Sequence, residues 1–287
     1  MCSDVTTGDG RLKTCPTLFN HGLGSAQLRW TQSGVADINA QFQPDESTRE
    51  NDMETSLHRE LKQLYAGQAE SGAQVEIRHG NYRIDAVVGD ELVEIQHGSL
   101  AAIRDKVRVL LNEHRVRVVK PLLASKLLVK RDRRGGPVVD RRLSPKRCTL
   151  LGLFDELVYF TKVFPHPRLT LEVVLVDVEE WRRPGHGRRR RYRPGDYLVE
   201  DQKLIAVREV HCFRTADDLR ALVPRELPSP FHTGQLAEAV GVARWMAQRM
   251  AYCFRETGAA RQVGKQANAW LYEFIERPTR MRRKRAG

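Results

Sequence analysis

Apolar residues first fall into a sustained helical rhythm in METSLHRELKQLYAG, where Leu57, Leu61, Leu64 and Tyr65 share one face. Ser56 is placed to cap this helix and Gly67 to end it. Short runs at 74–78, 82–88 and 91–96 predict strands. SLAAIRDKVRVLL then lines up Leu100, Ile103, Val107, Leu110 and Leu111 on a second helix, and VRVVKPL, Val116 to Leu122, reads as a strand. Residues 126–145 predict a hairpin turning at Gly135 and Gly136, and TLLGLFDELVYFTKVF a helix ended before Pro165. A strand, LTLEVVLVDVEEW, comes next. The charged turn GHGRRRRYRPG follows, and DYLVE and KLIAVREVHCF are two further strand candidates.

The leader before this rhythm, residues 1–52, is rich in Gly, Ser, Thr, Asp, Asn and Gln and shows no period. It is expected to be mostly disordered, and Met53 stands where translation could start instead. The pattern divides the rest into a domain over 53–214, a smaller one over 215–276 and a basic tail over 277–287.

Composition narrows the class. Of 287 residues, 41% are hydrophobic and 29% charged, which suits globular domains. No apolar run reaches the roughly 18 to 20 residues of a membrane-spanning helix, and no signal peptide opens the chain, so a cytoplasmic location is expected. The five cysteines are scattered and never spaced C-x-x-C, which suggests neither disulfides nor zinc. A net charge of +12 suits a polyanionic partner.

Acids inside NYRIDAVVGDELVEIQHG change the picture further. With Gly89 and Asp90 as a two-residue type II′ loop, Val88 faces Glu91, Ala86 faces Val93 and Asp85 faces Glu94. Alternation puts Asp85, Glu94 and Gln96 on one face and Ile84, Ala86, Val93 and Ile95 on the other. Facing carboxylates, with Cβ atoms about 5 Å apart, repel unless a cation is supplied. Two carboxylates with a backbone carbonyl, here Ile95, and sites left to water and phosphate suit Mg²⁺, with Mn²⁺ as its substitute. The plain alternative is an edge hairpin with a wet outer face. His97 points away from Glu94 by the same alternation and stays outside the site.

Glu60 on the first helix, then Asp85, then Glu94-Ile95-Gln96, then a helix and a strand, resemble the PD-(D/E)XK nuclease superfamily over about residues 54–122. The resemblance implies a restriction-endonuclease-like α-β-β-β-α-β core with a mixed sheet in an α/β protein. It makes Asp85 and Glu94 metal ligands, Ile95 a carbonyl ligand and Glu60 an auxiliary acid. The motif's Pro is replaced by Ile84 and its Lys by Gln96. A cation from the following helix, Lys106 or Arg104, stands to replace the Lys, and Lys106 is favoured.

In HTGQLAEAVGVARWMAQRMAYCFRETG, Thr233 is placed to cap a short helix, Gly241 to supply a turn, and a second helix to run from about Ala243 to Glu256. ADDLRALV provides a preceding helix, and AARQVGKQANAWLYEF two strands around Gly264 and Lys265. Together these resemble a winged helix-turn-helix domain. Arg244, Gln248 and Arg249, with Lys265 on the wing, are candidates to touch nucleic acid, while Met246, Met250, Ala251 and Phe254 read as core. Trp245 fits either anchoring or packing. Arg190 and Arg191, in the run Arg188 to Arg191, could track phosphates beside Tyr192. The pairing of the two domains resembles uncharacterised bacterial proteins.

These readings converge on a metal-dependent nuclease acting on nucleic acid, with DNA expected. A catalytically inactive nucleic-acid-binding protein that keeps the nuclease fold is the alternative, and a protein-binding scaffold a third.

Overall fold

The computed structural model describes residues 43–44, 54–67, 74–185 and 197–275. The rest of the leader, Met53, the run holding Arg190 and Arg191, and the basic tail lie outside the described residues. The chain divides into two compact units, with the boundary between Arg214 and Thr215.

The first unit is α/β with a mixed sheet. After β1 (Gln43–Pro44), its opening elements run α1 (Ser56–Ala66), β2 (Gln74–His79), β3 (Tyr82–Val88), β4 (Glu91–Ile95), α2 (Arg104–Leu110) and β5 (Arg115–Arg131). Then come β6 (Val138–Leu143), α3 (Leu153–Leu157), β7 (Leu169–Pro184) and β8 (Tyr197–Phe213). The strand order is β1-β2-β3-β4-β5-β7-β8, with β6 paired to β5. β4 runs parallel to β5 and β5 to β7; the other pairs are antiparallel. All five residues of β4 are buried, which suits a central strand covered on both faces. Leu57, Leu61 and Tyr65 of α1 pack on Ala86, Val93, Ile95 and Val119 of the sheet.

Local chemistry moved several expected boundaries. The cap of α1 is Thr55, not Ser56; Ser56 is the first helical residue, and its N–H and hydroxyl both donate to Asp201 of β8, at 2.8 and 2.6 Å. The strand from Val116 does not stop at Leu122, because β7 supplies a parallel partner as far as Lys130, past a bulge near Ala124. DYLVE and KLIAVREVHCF are likewise one strand, β8, held along its length by β7. The helix expected before Pro165 closes at Leu157, and turns occupy the remainder. The hairpin between β5 and β6 does turn at Gly135, where φ is +68°.

The second unit contains α4 (Ala216–Arg220), β9 (Phe231–His232), α5 (Thr233–Val240), α6 (Arg244–Glu256), β10 (Ala260–Gln266) and β11 (Ala269–Phe274). β11 pairs with both β10 and β9. His232, not Thr233, caps α5: its Nδ1 accepts from Gly234 and Gln235, while the Gln235 side chain returns to the His232 N–H. Gly241 ends α5 with a φ of +71° that suits glycine. The β10–β11 hairpin turns at Ala267 and Asn268, not at Gly264 and Lys265, which pair with Leu271 and Trp270 inside the ladder, just past a bulge at Val263. Phe254 packs edge-on against Phe274 at 5.3 Å, and Phe231 lies 5.0 Å from the same ring. Met250, Ala251 and Phe254 are buried; Met246 is only half-buried.

Candidate metal centre

Asp85 sits where both of its neighbouring ladders are interrupted. On one side, Val75 pairs with Ala86 and Ile77 with Ile84, but Glu76 between them adopts a φ of +58°. A left-handed conformation is unusual for a residue other than glycine, and inside a strand it is backbone strain of the kind that gathers at functional sites. On the other side, the register pairs Val88 with Glu91 and Ala86 with Val93 and then stops. Gly89, with a φ of +62°, makes the turn that sets this register. Past Val93 the Asp85 Oδ2 accepts the Ile95 N–H at 2.8 Å, so a side chain stands in for a main-chain carbonyl.

Basic side chains from two helices close on the acids. His58 Nε2 lies 3.2 Å and Lys62 Nζ 3.8 Å from Asp85 Oδ1. Lys62, itself buried, also pairs with Glu54 and Glu76, both at 2.6 Å, and Arg83 meets Glu76 at 2.7 Å. From α2, Lys106 Nζ approaches Glu94 Oε1 to 2.6 Å and also donates to the Arg83 carbonyl. The second oxygen of Glu94, Oε2, is buried without a hydrogen-bond partner among the described residues.

The two carboxyls are driven apart electrically. Burial works to raise the Asp85 pKa, but His58, the Ile95 N–H and Lys62 outweigh it and hold the group below its ordinary 3.8. Glu94 goes the other way, to about 7, because burial and then the Asp85 charge oppose its ionisation more than Lys106 favours it. Environments that separate two carboxyls in this way commonly mark acid–base or metal chemistry.

Of the residues expected from sequence, Asp85, Glu94, Ile95 and Lys106 come together. Lys106 rather than Arg104 reaches Glu94; Arg104 pairs with Asp105 at 3.1 Å on the surface. Glu60 does not join them. It stands about 200° around the helix from His58, on the flank toward β8, where its Oε2 accepts the Leu204 N–H at 2.6 Å. Gln96 also turns aside: β4 ends at Ile95, and the Gln96 amide donates to Ser99 O at 2.9 Å within the next turn. His97 is half-buried, and burial together with Lys120 holds its pKa below 6.5.

His58, Lys62, Glu54 and Glu76 were not anticipated. Glu54, His58 and Lys62 recur every four residues beside the Leu57–Leu61 stripe, a signal visible in the sequence as one flank of a helix. Nothing in the sequence announces Glu76, because only the local break in β2 turns its carboxylate to Lys62. In the second unit Arg244, Gln248, Arg249 and Lys265 are all exposed.

Among the described residues no three or more His, Cys, Asp or Glu side chains form a ready metal cage. Mg²⁺ does not require one, since it commonly takes one or two carboxylates and leaves the rest of its shell to water and phosphate. The unpartnered Glu94 Oε2 beside Asp85 is a hard oxygen donor of the type such an ion selects, so the residues present fit it.

The fold and the site define an α/β protein with a mixed sheet, in which a buried carboxylate pair is held by flanking cations at a break in the strands. The chain belongs to the DUF8091 family, described as a domain of unknown function, whose model matches residues 55–214. An uncharacterised protein of Treponema pallidum (strain Nichols) is 28% identical over 221 residues, covering 76% of this chain and 84% of the relative. No solved structure matches the chain. Among the described residues no helix is long and apolar enough to cross a membrane.

Proposed function

We propose that the protein is a metal-dependent nuclease of the PD-(D/E)XK type, which hydrolyses phosphodiester bonds of nucleic acid, DNA above all. The observation that carries this reading is Glu94 Oε2, buried and unpartnered beside Asp85 where the strand ladders part. The order α-β-β-β-α-β from α1 to β5 supports it.

Asp85 and Glu94 are the side chains to hold Mg²⁺ or Mn²⁺. When bound, such an ion polarises a phosphoryl oxygen and lowers the pKa of water. Burial and the Asp85 charge hold the Glu94 pKa at about 7 without an ion, so Glu94 would give up its proton on binding the metal and affinity should rise with pH through that value. Lys106 offers the ammonium that the superfamily's motif carries at the position of Gln96, from α2 instead of β4. His58 and Lys62 keep Asp85 ionised. The order of α4, β9, α5, α6 and the β10–β11 hairpin supports a winged helix, with Arg244, Gln248 and Arg249 of α6 presented to nucleic acid.

The test is a titration of Mg²⁺ or Mn²⁺ against labelled single-stranded, duplex and branched DNA. Cleavage that a chelator stops is expected. Lys106→Met should slow it about a hundred-fold or more, as removal of one charge-stabilising group commonly does. Gln96→Ala should leave it within about threefold and cost about 1 kcal/mol of stability for the lost bond to Ser99. Comparable losses in the two variants contradict the assignment of Lys106. Tight binding without cleavage at any metal concentration favours the inactive, nucleic-acid-binding alternative, for which the displacement of Gln96 from the carboxylates speaks.

A further inference from the structure

Three aromatic rings stand exposed on the second unit, and each has a cation over its face. Arg249 lies 5.0 Å from the centroid of Trp245, Arg255 5.5 Å from that of Tyr252, and Lys265 4.0 Å from that of Trp270. Trp245 is 53% exposed, Tyr252 36% and Trp270 47%. On α6 the exposed residues Trp245, Arg249, Tyr252 and Arg255 follow one another at steps of four, three and three, with exposed Gln248 beside them, so they form a single stripe along the helix. Ala247, Met250, Ala251 and Phe254 form the opposite, buried stripe. Trp245 and Tyr252 are therefore not needed to seat the helix. Glu256, the acid at the end of the exposed stripe, is half-buried and pairs with Arg255 at 2.9 Å.

Single exposed hydrophobic residues need no explanation, but rings repeated along one basic face do. Their chemistry matches a strand that offers a phosphate and a base together. Cations meet the phosphates, and the flat rings meet base faces. In an intact duplex the base faces are already stacked on one another, so only an unpaired base is free to lie on a side-chain ring.

We infer that the exposed face of α6, with the β10–β11 hairpin, holds single-stranded nucleic acid, its unpaired bases stacking on Trp245 and Tyr252 and its phosphates meeting Arg249, Arg255 and Lys265. The inference deepens the proposed nuclease reading and rests on its assignment of a nucleic-acid partner. It makes a single strand, or the single-stranded end of a duplex, the substrate class that the second unit selects.

The experiment is fluorescence anisotropy on the full chain, in chelator so that nothing is cut, at physiological salt. The probes are a labelled single strand, the blunt duplex of the same length and that duplex with an overhang. The single strand and the overhang should bind more tightly than the blunt duplex. Trp245→Ala and Tyr252→Ala should each weaken single-strand binding roughly 5- to 150-fold, the range expected for one lost stack. Blunt-duplex binding should change little, and Trp245→Phe should keep most of the affinity. The salt dependence should stay unchanged in Trp245→Ala and flatten in Arg249→Ala, because only the latter removes a phosphate contact. Single-strand affinity within about twofold of wild type in both alanine variants, the result expected of a protein-binding face, overturns the inference. Equal losses on single strand and blunt duplex also overturn it. In either case metal-dependent cleavage, assayed separately, leaves the nuclease reading standing. A wild-type chain that binds no nucleic acid removes both.

Discussion

Asp85→Asn is expected to reduce metal-dependent cleavage about a thousand-fold or more, equivalent to roughly 4 kcal/mol of transition-state stabilisation. The asparagine keeps an oxygen that can accept the Ile95 N–H, so the strand stays seated. The negative charge is what goes. His58 and Lys62 lose one acidic partner, although Lys62 keeps Glu54 and Glu76, and the proposed metal loses one of its two carboxylates. Stability should change with a definite sign. The Asp85 pKa is lower in the folded chain than its ordinary 3.8, so the wild type gains stability above that value and loses it as pH falls through the folded pKa. The variant lacks this gain. It should be less stable than wild type at pH 7, and the gap should close in acid. Urea melts at several pH values report this, and a cleavage assay reports the chemistry. Cleavage that survives the substitution removes Asp85 from the site.

Glu94→Gln should abolish cleavage to a similar extent but move stability in the opposite direction. The folded pKa, about 7, lies above the ordinary 4.5, so the contribution of Glu94 is complete below 4.5 and lost as pH rises through 7. Glutamine mimics the protonated form at every pH. In chelator the variant should therefore gain on wild type as pH rises from 5 to 8, by up to about 3 kcal/mol. Loss of the Lys106 pair offsets part of this, although Lys106 keeps its bond to the Arg83 carbonyl. Added Mg²⁺ at pH 8 should stabilise the wild type and not the variant, since a ligand that binds only the folded site shifts the equilibrium toward it. Parallel pH dependences in the two proteins would falsify the raised pKa. Equal stabilisation by Mg²⁺ would place the ion elsewhere.

Both expectations come from an arrangement that the sequence shows only in part. Gly89-Asp90 fixes the hairpin register, and counting outward from it brings Asp85 near Glu94. That works because a two-residue loop leaves no freedom in the pairing and a strand alternates strictly. The register gives adjacency alone. It assumes that both side chains stand on one face of an unbroken ladder, whereas Asp85 fills a gap in the main-chain bonding. Periodicity assigned α1 correctly because its Leu57–Leu61 stripe must face the core. Glu60 was misplaced because a helix has two polar flanks beside such a stripe, and its packing decides which of them meets the acids. The flank of His58 and Lys62 meets Asp85, and that of Glu60 meets β8.

The remedy for the buried charges illustrates the same division. Facing carboxylates require a cation, a requirement readable from residue type and spacing. Which cations arrive depends on elements distant in the chain: Lys106 from α2, and Lys62 from α1, itself paired with Glu76 at the left-handed position of β2. On the second unit, helical spacing alone separates the two stripes of α6. Met250, Ala251 and Phe254 are inside, as that spacing indicates, and only packing shows that Met246 is half-buried and that Trp245 and Tyr252 are left to solvent. The sequence by itself determined the helix faces, the hairpin register, the basic charge and the pair of acids, because these follow from local periodicity and composition. The tertiary structure decided that Asp85 closes a broken ladder, that Glu94 keeps one oxygen unpartnered and that Lys106 rather than Gln96 stands beside it. Each of these depends on where two separate segments meet, and spacing along one chain does not carry that information.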